Sequence, residues 1–273
     1  MATNPDPKGN LRCHRCMKLA YQMTPGKLLS FFLPKTSCGR PRIYELRYIV
    51  DGILYIVKNG CTWRCLPNDF PPWKTVYYYF RSWSLSGLWE LLNSALVSLA
   101  RLCAGREETP SLVSVDSQSQ SAEPGVEARG LDGGKKVNGR KRHIAVDTLG
   151  LMLICLCTSA NTADSVAGQK IVELLNNKKH YSRLKKILGD NAYRGVGIDF
   201  STGVSVEASE RKEGQKGFVP EAFRWVVERT FAWLNRQRRL VRNYEKKIIH
   251  QQSINYIANA RLCLKRYEKW LQA

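Results

Sequence analysis

Acidic residues are the scarce class in this chain. Its 273 residues carry 23 Asp and Glu against 43 Lys and Arg, a formal net charge of +20. That excess costs self-repulsion in the folded state and signals a polyanionic partner, with nucleic acid the first expectation. Long apolar runs are missing too: none approaches the roughly 18 residues that a membrane span requires, so no membrane association is expected. The opening MATNPDPKGNLR is polar, which argues against a secretory leader and for a cytoplasmic protein. Nine cysteines are an odd number and, without an export signal, are read as reduced thiols. Cys13 and Cys16 have the spacing of half a zinc site, but Cys38, Cys61 and Cys65 are scattered and His143, His180 and His250 lie far along the chain. A closed four-ligand site is therefore not expected. Cys155 and Cys157 sit in an apolar run and read as core filler.

What is present is a globular balance, 44% hydrophobic and 24% charged. Residues 1–22 show no periodicity and are left irregular. In 44-YELRYIVDGILYIVKNG-60, Leu46, Ile49, Val50, Ile53, Leu54 and Val57 recur at helical spacing, and Gly60 is a natural stop. A second helix is expected over 73–87 and a third from Leu88 to Leu102. Residues 23–105 thus form a helical domain, either of helix-turn-helix type or a cap that only packs. Composition shifts at 104-AGREETPS-111, and beyond it, over 106–273, extended patterns appear. LVSVD is a short strand, 142-RHIAVDTLG-150 and 151-LMLICLCTSA-160 form a hairpin, and a helix follows with Ala167, Ile171, Leu174 and Leu175 on its buried face. KKILGD and 203-GVSVEAS-209 are further strands, and two helices close the chain at roughly 220–241 and 247–271. The order predicts an α/β sandwich, a mixed sheet with helices on both faces.

Basic residues concentrate in two places. The glycine-rich 129-RGLDGGKKVNGRKR-142 reads as a mobile loop whose Lys135, Lys136, Arg140, Lys141 and Arg142 contact phosphate, or else as a solvated charged loop. The C-terminal helices, with Arg224, Arg236, Arg238 and Arg239, read as a second phosphate-facing surface. Tyr77, Tyr78 and Tyr79 with Trp63, Trp73, Trp83 and Trp89 fit base stacking or, at helical spacing, core.

Three isolated acids stand at the ends of apolar segments: Asp116 after LVSV, Asp190 after KKILG, and Glu228 on the helix after the last strand. The carboxyl ends of strands in α/β sheets are where ligands gather. Carboxylate oxygens suit hard divalent cations, and three of them can hold two ions about 3.5–4 Å apart for in-line displacement at a phosphodiester. Each acid also has a local alternative: a turn with Ser117, an Asx-turn after Asp190, or an ion pair of Glu228 with Arg224. Asp147 and Glu245 are less attractive, with Glu245 the reserve for Glu228.

The segments IVDGILYIVKNGCTWRCLPNDFPPWKTVYYYF, VDSQSQ, DGGKKVNGRKRHIAVDTLGL, LGDNAYRG and RWVVERTFAWLNRQRRLVRNYE closely resemble the DDE transposases of bacterial insertion sequences, from about residue 24 to 267. The resemblance implies an RNase H-like catalytic core behind a helical N-terminal domain. It implies DNA cleavage and strand transfer at the element's terminal inverted repeats, dependent on Mg²⁺ or Mn²⁺. Carried across by residue, the triad is Asp116 in VDSQS, Asp190 in LGDNAYRG and Glu228 in VVERTF, both catalytic and metal-holding. The partners implied are double-stranded DNA, as element ends and target, and a second copy of the chain, with no small-molecule substrate. Position 221 is Glu where a Tyr is expected, and position 235 is Asn where a basic residue is expected, with Arg236 the nearest substitute. The rival readings are a nuclease of the same fold without strand transfer and a DNA-binding repressor derived from such an element.

Overall fold

The computed structural model describes Leu33 and residues 42–177, 181–190, 193, 205–208 and 225–272. Cys13, Cys16, Asn191, Glu221 and Arg224, and the irregular segment 1–22, lie outside the described residues.

Among the described residues three helices come first: α1 Leu46–Asn59, α2 Trp73–Leu85 and α3 Leu88–Cys103. Ile49, Val50, Ile53 and Val57 of the stripe on α1 are all buried. The helix stops where Gly60 turns left-handed (φ 73°) and its N–H donates to the Ile56 carbonyl at 2.9 Å. On α2 and α3, Val76, Phe80, Trp83 and Trp89 are core residues, and Trp63 and Trp73 pack against them. Of Tyr77, Tyr78 and Tyr79, only Tyr78 is exposed; the other two are half-buried against the core.

Among the described residues the sheet holds six strands: β1 Leu112–Ser121, β2 Gly130–Asp132, β3 Val137–Asp147, β4 Met152–Ser159, β5 Lys186–Gly189 and β6 Ser205–Ala208. β1 and β3 are antiparallel, and β4 and β2 share the far edge of β3. On the other side of β1, β5 runs parallel to it and β6 parallel to β5. Four strands joined by antiparallel pairing, with two parallel ones beyond β1, give the mixed sheet expected of an RNase H-like core. The turn between β3 and β4 falls at Gly150 (φ 77°), where a Cβ would meet Thr230 Oγ1 at 2.9 Å, so glycine permits both the turn and the helix above it.

Helices cover both faces. α4 Asp164–Asn177 lies on one; α5 Trp225–Asn235 and α6 Ile248–Leu271 lie on the other. Neighbouring side chains on β1 show the division, because alternate residues of a strand point to opposite faces. The Ser117 hydroxyl meets Asp164 of α4, whereas Gln118 meets Asn235 of α5. The N-terminal helices join this body through α3, which packs on α6. Asn93 on α3 donates to the Met152 carbonyl at 2.9 Å and accepts from Asn259 on α6 at 2.7 Å.

Four expectations need correction. Residues 129–142 are not a mobile loop: they form the hairpin β2–β3, because Asp132 Oδ1 accepts from the N–H groups of Gly134 and Lys135 at 3.1 Å and closes a tight turn. Asp116 does not follow a strand but stands inside a ten-residue one. On α4, Leu174 is exposed and Val172 is buried in its place. α5 ends at Asn235, short of 241, because the chain turns in a 3-10 turn at Arg238–Leu240 that carries Arg239 inward to Glu245.

The link between the helices and the sheet includes a buried ion pair. Arg101 on α3 binds Asp147 at the end of β3, and Asp147 Oδ1 also accepts from the N–H of Leu149 (3.0 Å) and Leu151 (2.7 Å). Removing one partner leaves a buried charge uncompensated, at about 3–5 kcal/mol. Asp147→Ala is expected to lower unfolding free energy by that amount in urea titration; a change under about 1 kcal/mol would contradict a buried pair.

Candidate active site

The parallel pairing of β1 and β5 decides where the first two acids stand. Leu112 lies beside Lys186, Val113 beside Ile187 and Ser114 beside Leu188. Each pair is 74 residues apart in sequence, as are Asp116 and Asp190. The pairing ends at Ser114 and Leu188; continued two residues past that pair, the register would set Asp116 and Asp190 side by side on one face of the sheet, at the strand spacing of about 5 Å. Asp116 is held by the Ser117 N–H, which donates to its Oδ1 at 2.6 Å. Asp190 opens a tight turn in which the Tyr193 N–H donates to its carbonyl at 2.9 Å. Gly189 makes the turn possible, since a Cβ there would meet Tyr193 Cβ at 2.8 Å.

Tyr193 is buried, and its hydroxyl, near Ser117, makes no hydrogen bond of ordinary geometry. Burial first, and then the charges of Asp164, Asp116 and Asp190, push its titration far above the usual phenol value. Three carboxylates therefore act on one buried ring. Asp164, the first residue of α4, has its own partners on the opposite face: the Ser117 hydroxyl donates to it at 2.9 Å and Lys141 Nζ lies at 3.0 Å. His143 Nδ1 is 3.8 Å from the same oxygen, and burial pushes the imidazole down to about 4. Tyr193 and Asp164 went unnoticed in the sequence as neighbours of the two acids; only the quoted LGDNAYRG context offered a signal for Tyr193.

Glu228 is exposed on α5, on the side of the sheet that carries Asp116. The helix is held at its middle by Thr230, which donates to the Gly150 carbonyl at 2.9 Å, and at its C-terminal end by Asn235. Beside Glu228 the Arg229 guanidinium lies between the rings of Trp225 (4.4 Å) and Trp233 (4.5 Å). Asp116 and Asp190 both act on the Tyr193 hydroxyl, an influence in which Glu228 does not figure. Among the described residues, no three His, Cys, Asp or Glu side chains come close enough to hold a metal ion jointly. The reserve acids are structural: Glu245 is buried against Arg239 (2.6 and 3.0 Å), as Asp147 is against Arg101.

The expected phosphate contacts divide sharply. Lys135, Lys136, Arg236 and Arg238 are exposed. Arg140, Lys141, Arg142 and Arg239 are buried and cannot serve as surface contacts. Arg140 donates to the carbonyls of Glu127, Glu245 and Lys246, each at 2.7 Å. Lys141 lies between Asp164 and the Thr162 carbonyl, and Arg142 binds Gln118, Asn235 and Asn255. The physical reason is their place in β3, where a central strand carries its side chains under helices on both faces.

Residues 27–93 match the transposase family IS4/5, and residues 107–198 and 199–265 match two families each described as a transposase DDE domain. A solved structure, the Mos1 mariner paired end complex with Mn, aligns over 96% of this chain and 88% of its own at 13% identity, with a TM-score of 0.28. A superposition that loose places no residue. No curated protein sequence matches the chain.

The state of His143 has a consequence for stability. Its folded value of about 4 lies below the 6.5 of an exposed imidazole, so the unfolded chain takes up the proton first as pH falls. The contribution is whole above about pH 6.5 and is lost on the way down to about 4. His143→Gln, which keeps a polar group toward Thr158, is expected to show a shallower fall in melting temperature between pH 7 and pH 5 than the wild type. Parallel pH profiles would show that His143 does not titrate on unfolding.

Proposed function

The chain belongs to the DDE transposases of insertion sequences, and from that premise we propose that it binds the terminal inverted repeats of its own element, cuts the DNA there and joins the freed 3′-hydroxyl to target DNA. What supports this reading is the β1–β5 register, whose 74-residue step, continued past its last pair, would bring Asp116 level with Asp190. Two carboxylates on rigid neighbouring strands offer oxygen donors of the kind Mg²⁺ or Mn²⁺ prefers. The buried Tyr193, acted on by these acids, marks a concentration of negative charge that a cation would offset.

Asp116 and Asp190 would hold the metal, with Glu228 joining from α5 on the same side of the sheet; the expected number of ions is two. A divalent ion bound there supplies Lewis-acid activation of the attacking oxygen and neutralises charge on the leaving one. The protein's part is placement. The Ser117 N–H fixes the Asp116 carboxylate, and the turn at Gly189 fixes Asp190. The exposed Lys135, Lys136, Arg236 and Arg238 would bind DNA phosphates, and their charge would draw the polyanion to the acids. Cutting two ends in one event suits at least a dimer on the DNA, working on the chromosome in the cytoplasm. Among the described residues no helix is long and apolar enough to cross a membrane.

The test is cleavage of a plasmid carrying the protein's own gene and its flanking DNA, with Mg²⁺ or Mn²⁺ or with chelator. Metal-dependent cuts at the flanks and joined products are expected. Asp116→Asn, Asp190→Asn and Glu228→Gln should each reduce cutting below detection while DNA is still bound. Normal cutting by any one variant removes that residue from the site; binding without any cutting by the wild type points to a repressor instead.

A further inference from the structure

Arg142 is 1% exposed and sits on β3 directly opposite Gln118 of β1. Cross-strand partners point to the same face, so its guanidinium lies under α5 and α6. One terminal nitrogen donates to both Gln118 Oε1 and Asn235 Oδ1, the latter at 2.6 Å, and the other donates to Asn255 Oδ1 at 3.2 Å. The Phe231 ring lies 5.2 Å from the charge. Each anchor has a meaningful place. Gln118 follows Asp116 by two residues on the same face of β1. Asn235 follows Glu228 by seven residues, two helical turns along the same side of α5. Asn255 ties the group to α6.

The chemistry of these contacts is unusual for a buried cation. Arg101 and Arg239 face carboxylates, and Arg140 caps three backbone carbonyls. The hydrogen bonds of Arg142 go to side-chain amides instead, and its Nε has no partner. Burial lowers its pKa to about 10, a sign of how poorly the charge is compensated. An apolar residue of similar volume would remove the buried charge, an offset against the cost of leaving the amide oxygens of Gln118, Asn235 and Asn255 without that donor. What an apolar residue cannot do is hold a strand and a helix at a fixed spacing through a planar fork of donors.

We propose that Arg142 is a positioning residue for the acidic site, setting the helix of Glu228 against the strand of Asp116. The proposal rests on the assignment of those acids made above. It gives Arg142 no contact with DNA or metal. Its work is done through Gln118 and Asn235, and the distance it sets is that between the fixed pair, Asp116 and Asp190, and the third carboxylate.

The test compares the full-length wild type with Arg142→Met and Arg142→Lys in three measurements. These are thermal unfolding without metal, Mn²⁺ bound as read from loss of the free-ion EPR signal, and cleavage rate against Mn²⁺ concentration. Arg142→Met is expected to stay folded with a modestly lower melting temperature, and to lose, well below that temperature, about 10- to 100-fold in Mn²⁺ affinity or cleavage, the range for residues that orient metal-holding side chains. Lysine should restore little, since one ammonium cannot copy the planar fork. Wild-type Mn²⁺ binding and cleavage in Arg142→Met would overturn the proposal. So would a loss that disappears when the assay is run well below the variant's melting temperature, because that loss would be unfolding alone. Should Arg142→Met not fold, Asn235→Ala cuts the far anchor, and the same loss is expected of it; none would overturn the proposal. Failure of the underlying assignment looks different: Asp116→Asn would then cleave like the wild type.

Discussion

The parallel pairing of β1 with β5 is the constraint on which the rest depends. Its register, fixed by Leu112 beside Lys186, is the same 74-residue step that separates Asp116 from Asp190. A slip of one residue would send one carboxylate to the opposite face of the sheet. The packing guards against that slip. Val113 and Ile187 are buried side by side, and the β1–β3 ladder runs on for nine residue pairs from Val113 to Ser121. Short β5 thus borrows its alignment from a strand it could not specify alone.

A second theme is the fate of positive charge. A chain at +20 invites a picture of cations spread over a DNA-facing surface. Several are instead consumed inside: Arg101 and Arg239 in ion pairs, Arg140 on carbonyls, Lys141 on Asp164, Arg142 among amides. The interior cations join elements distant in sequence, and each holds a piece of the frame around the acids. The remaining exposed lysines and arginines are fewer than the count implies, which makes their location more informative than their number.

Much of this architecture was legible beforehand because it follows local periodicity. The stripe Ile49, Val50, Ile53 and Val57 announced α1, and Gly150 announced the turn between β3 and β4. The three acids stood out as candidates because carboxylates are rare here and these fall at the ends of apolar runs. The errors share one cause. In 129-RGLDGGKKVNGRKR-142, the glycines and charges read as a solvated loop. Whether Arg140 and Arg142 are exposed depends on the Glu245 and Lys246 carbonyls and on Asn255, all more than 100 residues away. No local pattern records such partners. Asn235 shows the same limit: where the resemblance expects a basic residue, the cation arrives from β3 as Arg142. Tyr193 and Asp164 escaped notice because a turn and a helix start bring them to the acids only in three dimensions.

The most direct measurement is anomalous diffraction at the manganese edge from crystals grown with Mn²⁺. The account predicts a peak between the carboxylates of Asp116 and Asp190, weakened or lost in Asp190→Asn. Manganese bound elsewhere, or absent with both carboxylates ordered, would contradict it.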